Sequence, residues 1–122
     1  MDSRPDRSPR PGLDVTPREA ARLLEAGARI LDVREAAEVQ RASIAGACHV
    51  PLREIEERLD EIEEVAEEAG PLLVLCHHGQ RSLQATLALH ALGVASARSV
   101  AGGIDRWSVE VDSNVPRYSQ VL

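Results

Sequence analysis

The sequence predicts one α/β domain, a mostly parallel central sheet with helices on both faces. Three observations carry that expectation. Short runs with strand character, near 13–15, 28–33, 47–50, 72–75 and 97–100, alternate with helical patterns, a rhythm that implies right-handed crossovers between parallel strands. The run LLVL at 72–75 is uninterrupted, too short for a helix and preceded by Gly70 and Pro71, as in a strand buried on both faces. A chain of 122 residues, 43% of them hydrophobic, is long enough for one core and too short for two.

Residues 1–12, MDSRPDRSPRPG, have almost nothing apolar to bury against the entropy of ordering them, so they are expected to be a mobile tail before a domain over 13–122. After the first strand, Thr16 reads as an N-cap, with Pro17 at the first helical position and Glu19 at the third. That helix should run to about Glu25, turn Ala20, Ala21 and Leu24 inward, and stop at Gly27. The second strand, ARILDV, ends in charge at Asp32 and Arg34. A short helix from Glu35 to about Arg41 carries Glu38, and SIAGACHVPL then turns through Gly46 into a third strand closed by Pro51.

Residues 53–68 hold nine acidic side chains. Ile55, Leu59, Ile62 and Ala66 nevertheless recur at helical spacing, which predicts one continuous helix with an apolar stripe and a solvated acidic back. The helix expected over 81–92 is apolar nearly all round, so it should be sandwiched in the core. Gly93 ends it, a last strand follows at 97–100, and a helix from Ile104 to about Glu110 carries Trp107. Residues 111–122 read as an irregular tail.

Composition narrows the function. A net charge of -6 and a pI near 5.2 argue against a nucleic-acid partner, which would call for a basic patch. No stretch has the length and apolarity of a membrane span or a secretory segment. Two cysteines in different elements do not make a disulfide framework. A reducing, cytoplasmic setting in which Cys76 stays a thiol is the expectation.

The chemistry concentrates at 71–82, PLLVLCHHGQRS. Cys76 ends a core strand, and His77, His78, Gly79 and Gln80 separate it from Arg81 and the next helix. In open α/β sheets ligands bind beyond the carboxyl ends of the strands. A tight loop there turns backbone N–H groups inward, and the helix start adds about half a positive charge, a setting that should favour the thiolate of Cys76.

Five motifs in order, LDVRE, SIAGACHVPL, LLVLCHHGQRS, VAGGIDRW and VDSNVPRY, together resemble the rhodanese homology domain in its single-domain sulfurtransferase form, over about 13–118. The resemblance implies a three-layer sandwich, a loop that starts at a persulfide-bearing nucleophilic cysteine, and transfer of sulfur from thiosulfate or a persulfide donor to a thiophilic acceptor without a cofactor. On this sequence Cys76 takes the nucleophile's place, and His77, His78, Gly79, Gln80 and Arg81 the rest of the loop. Asp32 and Arg34 match the family's DVR, while Gly102, Gly103 and Trp107 match its GG-x3-W wall. Where many members read GHIPGA this chain reads ASIAGA, so Ser43 and Ala45 alter the pocket rim and, with it, donor preference. VDSNVPRY resembles the close of rhodanese domains fused to E1-like activating enzymes, which points to a sulfur-carrier protein, beside a small thiol, as acceptor. Some members have lost the cysteine and serve as regulatory or carrier-binding modules; this chain keeps it.

Other readings fit less well. Cysteine phosphatases and arsenate reductases place five residues between Cys and Arg, whereas four stand between Cys76 and Arg81. Cys48, His49, Cys76, His77 and His78 are good metal ligands, but adjacent pairs cannot easily face one tetrahedral ion, so no metal is expected. Cys48 is read as a core thiol, with a resolving role beside Cys76 as the alternative. Arg81 is expected to brace the loop by pairing with Glu38 or Asp32 rather than to hold the donor, and His77 and His78 to line the mouth.

Overall fold

The computed structural model describes residues 9–67 and 70–119. Five strands form one parallel sheet: β1 (Asp14–Val15), β2 (Arg29–Asp32), β3 (Cys48–His49), β4 (Leu72–Leu75) and β5 (Ala97–Val100), in the order β1-β5-β4-β2-β3. Five α-helices connect or flank them: α1 (Pro17–Glu25), α2 (Ala36–Arg41), α3 (Leu59–Ala66), α4 (Gln80–Ala91) and α5 (Gly103–Glu110). β4 is the central strand, and all four of its residues are at most 1% exposed.

Alternation along β4 sorts the core into two layers. Leu72, Val74 and Cys76 point to a cluster with Leu31, Val33, Ile62, Ala85 and Leu89, under α3 and α4. Leu73 and Leu75 point the other way, to Ala20, Ile30, Ile104 and Trp107, under α1 and α5. With no Phe in the chain, both layers are filled chiefly by aliphatic side chains, each worth ~2 kcal/mol when fully buried.

Local chemistry explains most boundaries. Thr16 Oγ1 accepts the Glu19 N–H at 3.1 Å and Pro17 opens α1. Glu35 and Glu38 form a reciprocal capping box at the start of α2. Of the tail expected over 1–12, residues 1–8 lie outside the described residues. Arg10 bonds to Asp14 through its guanidinium, and its carbonyl accepts the N–H groups of Leu13 and Asp14.

Two expectations need correction. The helix expected over 53–68 is a 3₁₀ turn at Leu52–Glu54, then irregular turns, then α3 from Leu59. The cause is the sheet edge: the N–H of Leu52 is held by the carbonyl of Val33 at 3.1 Å. The tighter turn that follows lets Leu52 and Ile55, three residues apart, both face the core. Arg58 spans the break, pairing with Glu54 before it and Glu61 after it. The second correction concerns α4, which is not sandwiched. Its buried face is Ser82, Ala85, Thr86 and Leu89, while Leu87 is 50% exposed. Small and hydroxylic side chains let this helix lie close to the sheet, a choice that an apolar count alone does not reveal.

Among the described residues no helix is long and apolar enough to cross a membrane.

Candidate active site

Strand order creates a crevice. From β2 the chain moves outward to β3, and from β4 it moves the other way to β5. The connections therefore diverge beyond the carboxyl ends of β2 and β4, where open α/β sheets hold ligands. That edge receives Asp32 from the end of β2 and Arg34 just after it, Glu38 from α2, and Cys76 with its loop directly after β4.

Cys76 is 1% exposed. Its Sγ accepts the N–H of Gly79 at 3.0 Å and, as a thiol, donates to Ser82 Oγ at 3.3 Å. Ser82 Oγ lies 2.7 Å from Ser99 Oγ on β5. Because a hydroxyl both gives and accepts, Ser82 can turn its proton toward the sulfur when the sulfur is anionic, with Ser99 supplying a proton in return.

The loop is held in shape from outside. Gly79 takes a φ of +101°, and a Cβ there would lie 3.0 Å from the Gly102 nitrogen, so the close approach needs glycine. From α5, the N–H of Ile104 donates to the Cys76 carbonyl at 2.8 Å and that of Asp105 to the His77 carbonyl at 3.1 Å. In a trans peptide the following N–H points opposite to its carbonyl. Since no described peptide is cis, the amides of His77 and His78 face away from α5.

A buried charge network lies beside the loop. Arg34 is fully buried: its fork engages Asp32, with Nη2 to Oδ2 at 2.7 Å, and also donates to the carbonyl oxygens of Ala42 and Glu38. Asp32 also accepts the backbone N–H of Arg34 at 3.1 Å. Glu38, 1% exposed, takes both arms of Arg81, at 2.6 and 2.8 Å, and the hydroxyl of Tyr118 at 2.8 Å. Tyr118 in turn accepts from Arg34 Nη1 at 3.0 Å. Burial alone would push the Glu38 carboxyl up, but the hydrogen bonds from Arg81, Tyr118 and the Glu35 amide and the Arg81 charge outweigh it and hold the group at about 2. Burial, with donation to Glu38, raises the Tyr118 hydroxyl to about 12 against the opposing pull of Arg34.

The two histidines part company. His78 is exposed, its Nδ1 3.9 Å from Asp105 Oδ2. His77, also expected at the mouth, is instead 1% exposed and stacked on the Tyr118 ring, centroids 4.0 Å apart and planes 10° apart. Gln80 is exposed at the start of α4, and Trp107 is 5% exposed in the layer with Leu75 and Ile104. His49 bonds the Arg34 carbonyl and His90 that of Ala97.

Cys48 and Cys76 are both free. Cys48 pairs with Leu31, which pairs with Val74, so it stands two strands across from β4 and level with the second residue before Cys76. At about 4.8 Å per strand that exceeds the roughly 7 Å Cα limit for a disulfide. Burial also pushes the Cys48 thiol up, which leaves it a core thiol rather than a resolving one. Among the described residues no group of three or more His, Cys, Asp or Glu is arranged to hold a metal ion.

The sequence alone does not single out Ser82, Ser99 and Tyr118. Tyr118 stands within the VDSNVPRY motif, which was its one signal. The serines carried none until β5 and α4 were brought together.

A family model described as Rhodanese-like domain matches residues 16–110. The chain is 38% identical over 109 residues to the adenylyltransferase and sulfurtransferase MOCS3-2 of Zea mays, a match covering 85% of this chain and 23% of that protein. It spans under half the length of the first curated relatives it matches. Among solved structures, the human single-domain sulfurtransferase TSTD1 is similar at a TM-score of 0.68 and 30% identity, covering 80% of this chain and 96% of that one. A rhodanese-related protein from Thermoplasma volcanium gives 0.69 and 30%, covering 81% and 93%.

Proposed function

Because this chain belongs to the rhodanese-like domain family, we propose that it is a sulfurtransferase in which Cys76 carries sulfur as a persulfide between a small donor and a thiophilic acceptor. The observation that supports this most directly is the Gly79 N–H aimed at Cys76 Sγ from 3.0 Å. A backbone donor fixed there can hold negative charge on an attacking or leaving sulfur without itself taking or giving a proton.

In the first half-reaction the Cys76 thiolate attacks the outer sulfur of thiosulfate. An Sγ–S bond forms, the donor's S–S bond breaks, and its electron pair leaves on sulfite. A persulfide donor reacts in the same way with a thiolate as leaving group. In the second half-reaction a nucleophilic acceptor attacks the outer sulfur, and the Cys76 thiolate leaves. One covalent intermediate links the two steps, so the kinetics are ping-pong.

The Arg81 fork is spent on Glu38, which favours bracing of the loop over direct contact with the donor. His78 and Gln80, exposed at the rim, are the loop side chains positioned to meet donor and acceptor. The likeness to a plant protein whose name joins an adenylyltransferase to a sulfurtransferase supports a sulfur-carrier protein as acceptor, with a small thiol as the simpler substitute.

The test is intact mass after incubation with thiosulfate or glutathione persulfide. The expected result is a gain of one sulfur in the native chain and none in Cys76→Ser. No gain with either donor would leave a non-catalytic module of the same fold.

A further inference from the structure

We propose that Tyr118 is a positioning residue that straps the Cys76 loop at both ends, through its ring on His77 and its hydroxyl on the Glu38 carboxylate that grips Arg81. Tyr118 lies in the VDSNVPRY motif, beyond residues 16–110, the span matched by the family model. Cys76 as nucleophile comes from the function proposed above, but the strap itself is a statement about loop geometry.

Its two contacts fall at the two ends of the loop. The ring stacks nearly parallel to that of His77, the residue directly after the sulfur-bearing one, with centroids 4.0 Å apart. The hydroxyl donates to Glu38 Oε2 at 2.8 Å, and the same carboxylate receives the guanidinium of Arg81, in the first turn of α4. Between those ends lies Gly79, whose amide points at the sulfur. A shift of either end would turn that amide away.

The segment carrying Tyr118 is itself anchored. Ser108 Oγ donates to the Val115 carbonyl at 2.6 Å, and Val115 is buried. Arg117 forms a two-pronged pair with Asp105, at 2.9 and 3.0 Å, and the Asp105 amide holds the His77 carbonyl. The strap therefore grips His77 from its ring face and, through α5, from its carbonyl.

The experiment compares Tyr118→Phe, which keeps the ring and loses the hydroxyl, with Tyr118→Leu, which loses both. Val109→Ser, at an exposed position on α5, is the control. Residue-resolved hydrogen exchange and thermal melting are measured on each, along with single-turnover sulfur loading from thiosulfate. In Tyr118→Leu the amides of 77–81 should exchange at least about ten-fold faster while those of β4 and α1 stay unchanged. Its loading rate at saturating donor should fall by about ten-fold with the half-saturating donor concentration within about two-fold, as a residue that acts through the loop requires. Tyr118→Phe should lie between Tyr118→Leu and the native chain, and the control should match the native chain. Unchanged loop exchange in Tyr118→Leu would overturn the proposal, as would a uniform rise across the whole chain with a lowered melting temperature. If loop exchange responds but the native chain never gains sulfur, the strap stands and the sulfurtransferase reading falls.

Discussion

Glu38→Gln tests the charge network beside the Cys76 loop. The native carboxylate is 1% exposed and accepts two hydrogen bonds from Arg81 and one from Tyr118. Its descent from 4.5 to about 2 corresponds to roughly 3 kcal/mol. A group whose ionisation is favoured in the fold lends stability above its unfolded value and loses it as pH falls through its folded value. Glu38 should therefore stabilise the native chain fully above about pH 4.5 and progressively less down to about pH 2. The glutamine amide keeps the shape but offers one acceptor oxygen and turns an NH₂ group toward donors. Arg81 is 26% exposed, so water recovers part of its loss, and the expected cost at pH 7 is about 2–3 kcal/mol. That is roughly 10 °C in melting temperature for a domain of this size. Urea unfolding from pH 7 to pH 2 is the assay, and the two proteins should converge as the pH falls. A cost below about 0.5 kcal/mol at pH 7, or parallel curves across the acid range, would refute the reasoning.

Two further substitutions probe the loop. Gly103 has a φ of +63°, and a Cβ there would sit 2.5 Å from the Cys76 carbonyl oxygen and closer still to that of His77; Gly103→Ala should cost at least about 2 kcal/mol and abolish sulfur loading, and a folded, fully active variant would contradict the contact between α5 and the loop. Ser82→Ala removes the hydroxyl between Cys76 Sγ and Ser99 Oγ; stopped-flow loading should slow roughly ten-fold with about 1–2 kcal/mol lost in urea, and an unchanged loading rate would remove Ser82 from the anion's surroundings.

What could be read beforehand follows physical lines. β4 and β5 occupy the predicted residues, 72–75 and 97–100: β4 is an unbroken apolar run after Gly70 and Pro71, and β5 is a short segment between the turns at Gly93 and Gly102. Thr16, Pro17 and Glu19 mark the start of α1 for the same reason, since capping is decided within one turn. Arg81 had two candidate carboxylates, and only the fold brings Glu38 rather than Asp32 within its reach. The exposed Leu87 escaped because a nearly all-apolar helix does not declare which face meets the sheet. Ser82 stands in the first turn of the helix expected over 81–92, and its tie to Ser99, seventeen residues on, depends on α4 lying over β5. Tyr118 is the extreme case: its partners Arg34 and Glu38 stand 84 and 80 positions away, so no local pattern encodes the contact.

The two-sided packing of β4 has a consequence for how the chain can change. Leu72 and Val74 share a side with Cys76, and Leu73 and Leu75 take the other, so the side on which the sulfur emerges is a matter of parity. Inserting or deleting one residue within the strand would swing the thiol from Ser82 toward Ile104 and Trp107. Side-chain volumes there can be traded one for another at modest cost, but an odd change in their number would part the sulfur from its amide.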